Sequence, residues 1–228
     1  MKKAIITLTL LISVLNIFGQ QQTEKRRTVR LETSKGVICL ELYNETPRHR
    51  DNFLKLVESG FYNGLLFHRT ISSFMIQSGD SLSRNAAKGE ILGRSSGGNT
   101  IAHEILYPKF FHKRGALCAA RRVGPSNPKR DSSGSQFYIV YGRRFNDTML
   151  DEVQARMDMQ SGGIIRLTEE VRQTYKSIGG APHLDGEYTV FGEVTEGIDI
   201  VEKIQWADTD ENDRPLEDIR IIKAEVCQ

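Results

Sequence analysis

Arg69 lies in the stretch FHRTISSFMIQSGD among Phe67, Ile71, Phe74, Met75 and Ile76, with Gln77 just past the apolar run. A guanidinium stays protonated and directs several N–H donors at once, so what it offers here is charge-assisted hydrogen bonding rather than proton exchange. Taken alone, the residue also fits an ordinary salt bridge. The other reactive types assemble into no familiar centre. His103, Glu104 and His112 in HEILYPKFFH lack the second histidine that would put two zinc ligands on one helical face. Ser133 and Ser135 in SSGSQF have no glycine two residues before and two after, as a nucleophile elbow requires. No glycine-rich phosphate loop is present. Cys39, Cys118 and Cys227 are widely spaced, with no C-x-x-C and no metal-ligand spacing, so they carry no function here. His68 reads as an internally hydrogen-bonded residue. Neither a metal nor a cofactor is expected.

The chain that must position these residues has 228 of them, 39% hydrophobic and 26% charged. That is enough for one full core, with neither the polarity of a disordered chain nor a run long enough to span a membrane. The N-terminus differs in kind. MKKAIITLTLLISVLNIFGQQQ has two lysines, an apolar run from Ala4 to about Val14, then Gly19 before glutamines. This is the layout of a secretory signal peptide over 1–19, followed by a tether over 20–27. Export follows, to the periplasm rather than the extracellular medium, without stable membrane insertion after cleavage. The absence of a cysteine at the cleavage point argues against a lipid anchor. Removing Lys2 and Lys3 with the leader leaves 29 basic against 29 acidic residues, which disfavours electrostatic capture of nucleic acid. The basic pairs Arg121/Arg122 and Arg143/Arg144 and the acidic DTDEND from Asp208 read as solvated surface. An exported chain with three cysteines keeps at least one free thiol or pairs it with another chain.

From residue 28 to 228 the patterning is that of one domain. RTVRLETSKGVICLELY alternates with period two on both sides of Gly36, predicting a hairpin with Ile38, Leu40 and Leu42 facing inward. In ETPRHRDNFLKLVESGFY, Thr46 is the expected N-cap, Pro47 the first helical residue and Gly60 the stop. Phe53, Leu54 and Val57 form its apolar stripe. A second helix is predicted from Gly197 to about Gln205. Short strands fill the rest, in LLFHRTI, FMIQSGD, GALCAAR, SQFYIVY, YTVFGEV and DIRIIKAEV. Many short strands with two separated helices predict a closed antiparallel barrel capped at its ends. The segment from about 147 to 177 breaks that rhythm. Leu150, Val153 and Met157 recur at helical spacing, and Thr168 can cap a second piece through Val171 and Tyr175. It reads as an inserted helical hairpin too short for a core of its own.

Three blocks in this pattern, YNGLLFHRTISSFMIQSGD, SSGSQFYIVY and HLDGEYTVFGEV, resemble in order and spacing the signatures of the cyclophilin family of peptidyl-prolyl cis/trans isomerases. The resemblance covers roughly Val29 to Val226, with Thr70 and Ser78 departing mildly from the family pattern. It implies a mainly β fold, an eight-stranded closed antiparallel barrel with two helices and a peptide groove on its outer face. It also implies catalysis of X–Pro rotation by the arginine matching Arg69, with Gln77 beside it. Phe74, Met75, Tyr138 and Leu184 match the walls around the proline ring, Tyr138 where phenylalanine is commoner. Gln136 matches a polar group that holds arginine and substrate backbone, and Ala120 with Arg121 the adjoining groove. Tyr188 stands where many members have histidine, and its hydroxyl can donate a similar bond. His183 stands where eukaryotic relatives usually have tryptophan, which implies weak cyclosporin binding. The implied partners are proline-containing segments of unfolded or extended chains, bound by a monomer, so that the folding of exported proteins is assisted. A proline-peptide-binding or chaperone module that uses the same groove without turnover is the alternative.

Overall fold

The computed structural model describes residues 25–95 and 99–227, so the expected leader and the first part of the tether lie outside the described residues. The first hairpin forms as its alternation requires. Strand β1 (Thr28–Thr33) pairs with β2 (Gly36–Leu42), Val29 opposite Leu40 and Leu31 opposite Ile38. Every second side chain therefore enters the core, and Val29, Leu31, Ile38, Leu40 and Leu42 are fully buried. Gly36 is required at the turn: its φ is 141°, and a Cβ there would sit 2.4 Å from Ile200 Cδ1.

Six further strands complete one antiparallel sheet: β3 (Arg69–Ile71), β4 (Met75–Ser78), β6 (Ala116–Ala119), β8 (Phe137–Val140), β9 (Val190–Glu196) and β10 (Ile221–Cys227). A separate pair, β5 (Thr100–Ile101) with β7 (Ser132–Ser133), closes a loop. The order in the large sheet is β10-β1-β2-β9-β6-β8-β4-β3. The expected closed barrel is not what forms: the sheet curves through 218° as an open half-barrel. No strand ladder joins β3 to β10. Short segments beside them meet instead, with Phe67 N–H donating to Ile219 O at 2.8 Å and Ile221 N–H to Leu65 O at 2.8 Å. With only three residues, β3 is too short to carry a ladder around the remaining arc.

Among the described residues four α-helices accompany the sheet: α1 (Pro47–Glu58), α2 (Asp147–Ser161), α3 (Glu169–Ser177) and α4 (Ile198–Gln205). Phe53, Leu54 and Val57 of α1 and Val201 and Ile204 of α4 fill the main core against β1, β2 and β9. Thr46 does not cap α1 with its side chain. The helix is capped from a distance by Glu104, whose carboxylate accepts from the N–H groups of Arg48 (3.1 Å) and His49 (3.0 Å). A carboxylate suits the positive end of a helix dipole. The segment from 147 to 177 is helical as its spacing predicts. Asn146 caps α2, Thr168 caps α3, and the two are joined through Gly162 at φ 63°. The pair buries its apolar side chains in a cluster shared with the rest of the domain: Leu150, Met157, Leu167, Val171 and Tyr175 are buried together with Phe145. Phe111 and Phe145 come from outside the pair, so the hairpin has no core of its own.

Candidate active site

Arg69, Gln77, Tyr138 and Cys118 form one row across the sheet, because β3 pairs Arg69 with Gln77, β4 pairs Gln77 with Tyr138, and β8 pairs Tyr138 with Cys118. Strand alternation sends Ile76, Leu117, Phe137 and Ile139 to the main core. Met75, Cys118, Tyr138 and Val140 are left to a second apolar cluster on the opposite face. Phe74, Leu184, Tyr188 and Ala120 pack against that cluster and roof it only partly. The result is an open cleft of about 200 Å³, lined by Arg69, Phe74, Met75, Gln77, Ala120, Arg121, Val123, Tyr138, Leu184 and Tyr188. Nine of the eleven site residues expected from sequence line it.

The elements around the cleft fix each side chain. Phe74 follows a turn in which Ser73 has φ 58°. The Ser73 N–H donates to the side chain of Gln205 on α4, and Tyr141 and Gly142 both donate to Phe74 O at 2.9 Å. Arg69 Nε donates to Asp213 Oδ2 at 3.1 Å, while Asp213 O accepts from Thr70 N–H at 2.8 Å. Among the described residues this is the only hydrogen bond of the Arg69 guanidinium, so both Nη groups stay available at the apolar rim. Asp213 was missed by the sequence reading, which placed it in a solvated acidic run. Gln77 Nε2 donates to Gln136 Oε1 at 2.8 Å, and Gln136 Nε2 donates to Gly93 O and Ser95 O.

Gln136 is thus a buried prop behind Gln77 rather than part of the lining. His183 also lies off the lining, exposed, with its ring 5.2 Å from that of Phe74. Arg121, expected to act through its main chain, is held by its side chain. Nη2 meets Glu187 Oε2 at 2.8 Å, and the guanidinium lies 4.5 Å over the Tyr188 ring. Burial pushes the Tyr188 phenol up, so its hydroxyl keeps its proton as a donor. Val123, highly exposed at the rim, carries no motif that could have singled it out.

His68 adjoins this site from behind. It is 3% exposed, and neither ring nitrogen has a hydrogen-bond partner among the described residues. The expected internal hydrogen bond is not made with good geometry, although the Gln136 side chain and the Leu66 backbone lie close enough to favour the charged ring. Burial pulls its pKa down to about 4, with Asp80 opposing. The unfolded chain then takes up the proton first, so stability falls as pH drops below about 6.5 and levels off once the folded ring protonates near 4. Over that window His68 is expected to remove about 3 kcal/mol. Urea denaturation at pH 7 and pH 4.5 should show a loss of stability that His68→Gln reduces by about 2–3 kcal/mol. An unchanged difference in the variant would refute the assignment.

His103, Glu104 and His112 do not converge: Glu104 caps α1, and His112 is bonded to Asp185. Among the described residues no group of three His, Cys, Asp or Glu side chains is placed to hold a metal ion. The three cysteines are unpaired, Cys118 fully buried.

A family model described as cyclophilin type peptidyl-prolyl cis-trans isomerase/CLD matches residues 28–226. The human peptidyl-prolyl cis-trans isomerase-like 1 is 30% identical over 197 residues, 86% of this chain and 90% of that protein. A putative peptidyl-prolyl cis-trans isomerase of Staphylococcus saprophyticus is 32% identical over 203 residues, 87% of this chain and 90% of the relative. The crystal structure of a Cryptosporidium parvum cyclophilin type isomerase superposes with a TM-score of 0.62 at 25% identity, covering 90% of this chain and 99% of that one. The same protein has been solved in the presence of the dipeptide Ala-Pro, with a TM-score of 0.60 to this chain. The chain belongs to the cyclophilin-type peptidyl-prolyl cis-trans isomerase family, and its activity is rotation of X–Pro peptide bonds.

Proposed function

We propose that the cleft around Arg69 is where that rotation is catalysed. Resonance makes the peptide C–N bond partly double and sets a barrier of roughly 18–20 kcal/mol. No covalent bond need break. Donation from Arg69 to the prolyl nitrogen as it becomes pyramidal would draw the lone pair out of resonance with the carbonyl. Phe74, Met75, Tyr138 and Leu184 would bury the proline ring, an interaction of about 1.5–3 kcal/mol. Gln77, aimed by Gln136, and the hydroxyl of Tyr188 are the donors placed for the substrate backbone. Arg121 and Ala120 border the adjoining groove. The observation that carries the reading is a guanidinium that, among the described residues, is tied only through Nε to Asp213, at the rim of an apolar cleft.

An Ala-Pro-containing peptide titrated into the isotope-labelled protein should shift the resonances of Phe74, Met75, Tyr138 and Leu184 first. Saturable shifts confined to another face would refute this placement. For the exposed His183, weak cyclosporin sensitivity is the corresponding expectation, and inhibition of the usual family strength would count against it.

We also infer an exported, bacterial, monomeric form acting in the periplasm on proline-containing segments of other exported chains. The support is the leader-like layout of residues 1–19. Among the described residues no helix is long and apolar enough to cross a membrane. N-terminal sequencing of the chain recovered from the host decides the matter, since an intact Met1 would exclude cleavage.

A further inference from the structure

We propose that Tyr175, on α3 of the helical pair, positions the Tyr138 ring of the cleft through Asp185 and His112. The inference rests on the reading of that cleft as the isomerase site. Four buried polar side chains form the link. Tyr175 OH donates to Asp185 Oδ2 at 2.7 Å, Asp185 Oδ1 lies 2.9 Å from His112 Nδ1, and His112 Nε2 lies 3.0 Å from Tyr138 OH. Asp185 Oδ1 also accepts from the His112 backbone N–H at 2.9 Å.

The chemistry of the groups gives the chain a direction. An ionised carboxylate only accepts, so His112 Nδ1 carries the hydrogen; in the neutral ring, Nε2 is then the acceptor and Tyr138 the donor. Burial pushes both phenols well above their ordinary range, so each retains the proton it donates. The bond to His112 restrains a ring whose χ2 torsion is otherwise broad. The His112 and Tyr138 rings are near-parallel, 10° apart at 6.1 Å, and Tyr138 meets Tyr188 edge-on at 87° and 5.9 Å.

The far end of the link is anchored. Residues after α3 are stitched between two segments: Arg114 N–H donates to Gly179 O, Gly180 N–H to Arg143 O, and Ala181 N–H to His112 O, at 2.8 to 3.0 Å. Gly180 has no room for a side chain, since a Cβ there would lie 2.6 Å from Tyr175 Cε1. The Tyr175 ring also packs on Phe111 and Phe145, a role that phenylalanine could fill. Only the hydroxyl makes α3 part of the cleft's support.

The test is a double-mutant cycle on the purified protein with Tyr175→Phe, Tyr138→Phe and the pair, read as kcat and KM for an X–Pro peptide. Tyr175→Phe is expected to lower kcat/KM by about threefold to tenfold, mainly through KM. In the Tyr138→Phe background the same change should cost less than about 1.5-fold, because the link is already cut. Equal losses in both backgrounds, or none in either, would overturn the proposal. The imidazole ¹⁵N spectrum supplies a readout independent of activity: protonation of His112 at Nε2 instead of Nδ1 would break the stated direction and overturn it as well. Arg69→Ala with an undiminished rate would place the fault in the site reading; a slowed Arg69→Ala with an inert Tyr175→Phe would place it in this inference alone.

Discussion

Replacing Arg69 with alanine is expected to lower kcat/KM for a short X–Pro peptide by about ten- to a hundredfold. A charge-assisted hydrogen bond contributes about 1.5–3 kcal/mol, and each 1.36 kcal/mol of barrier is a factor of ten. The fold should persist, because the lost ion pair with Asp213 is half-exposed, with side chains 43% and 41% accessible. Such pairs contribute about 0–1 kcal/mol. Peptide binding should also survive, since the apolar walls are untouched. The discriminating comparison is therefore turnover against affinity, measured on the same preparation. A variant that still binds and turns over at the full rate would remove Arg69 from the mechanism. A variant that no longer binds at all would make it a recognition group. Whatever acceleration remains in the variant measures what positioning and water exclusion contribute without the guanidinium.

Asp185→Ala is expected to lower the unfolding free energy by about 3 kcal/mol or more, because it strands three buried hydrogen-bond donors at once. Asp185 is fully buried as a side chain and His112 is 1% exposed. Without the carboxylate, the His112 backbone N–H, its Nδ1–H and the Tyr175 hydroxyl all lose their acceptor inside the protein. Each buried orphan carries a desolvation cost of about 1–3 kcal/mol, and the alanine also leaves a void. Urea denaturation reads this as a lower midpoint. A shift equivalent to less than about 1 kcal/mol would mean that water or another group takes over the acceptor role.

Local order was legible in the sequence because it is written in short repeats. The two-residue alternation around Gly36 placed the first hairpin, and the spacing of Phe53, Leu54 and Val57 placed α1. The spacing of Leu150, Val153 and Met157, with Thr168, placed the helical pair. Three linked blocks located Arg69, Phe74, Met75, Gln77, Tyr138, Leu184 and Tyr188 in one cleft. The hairpin and helix signals lie within a turn or two of chain, or within one strand, where geometry follows from backbone period; the cleft residues came instead from the resemblance of the three blocks to a known family.

What only the tertiary structure decided are pairings between groups far apart in the chain. Asp213 reaches Arg69 across 144 residues, and Glu104 caps α1 from 55 residues away in place of Thr46. Gln136 and His183 fall outside the cleft lining although their blocks name them, and the sheet stops at 218°. Asp185, Tyr175, His112 and Tyr138 meet although they come from four separate segments. A buried donor must find an acceptor, but nothing in its own neighbourhood says which one. That choice is made when the sheet curves and the core closes, because only then are distant side chains brought within hydrogen-bond reach and shut off from water.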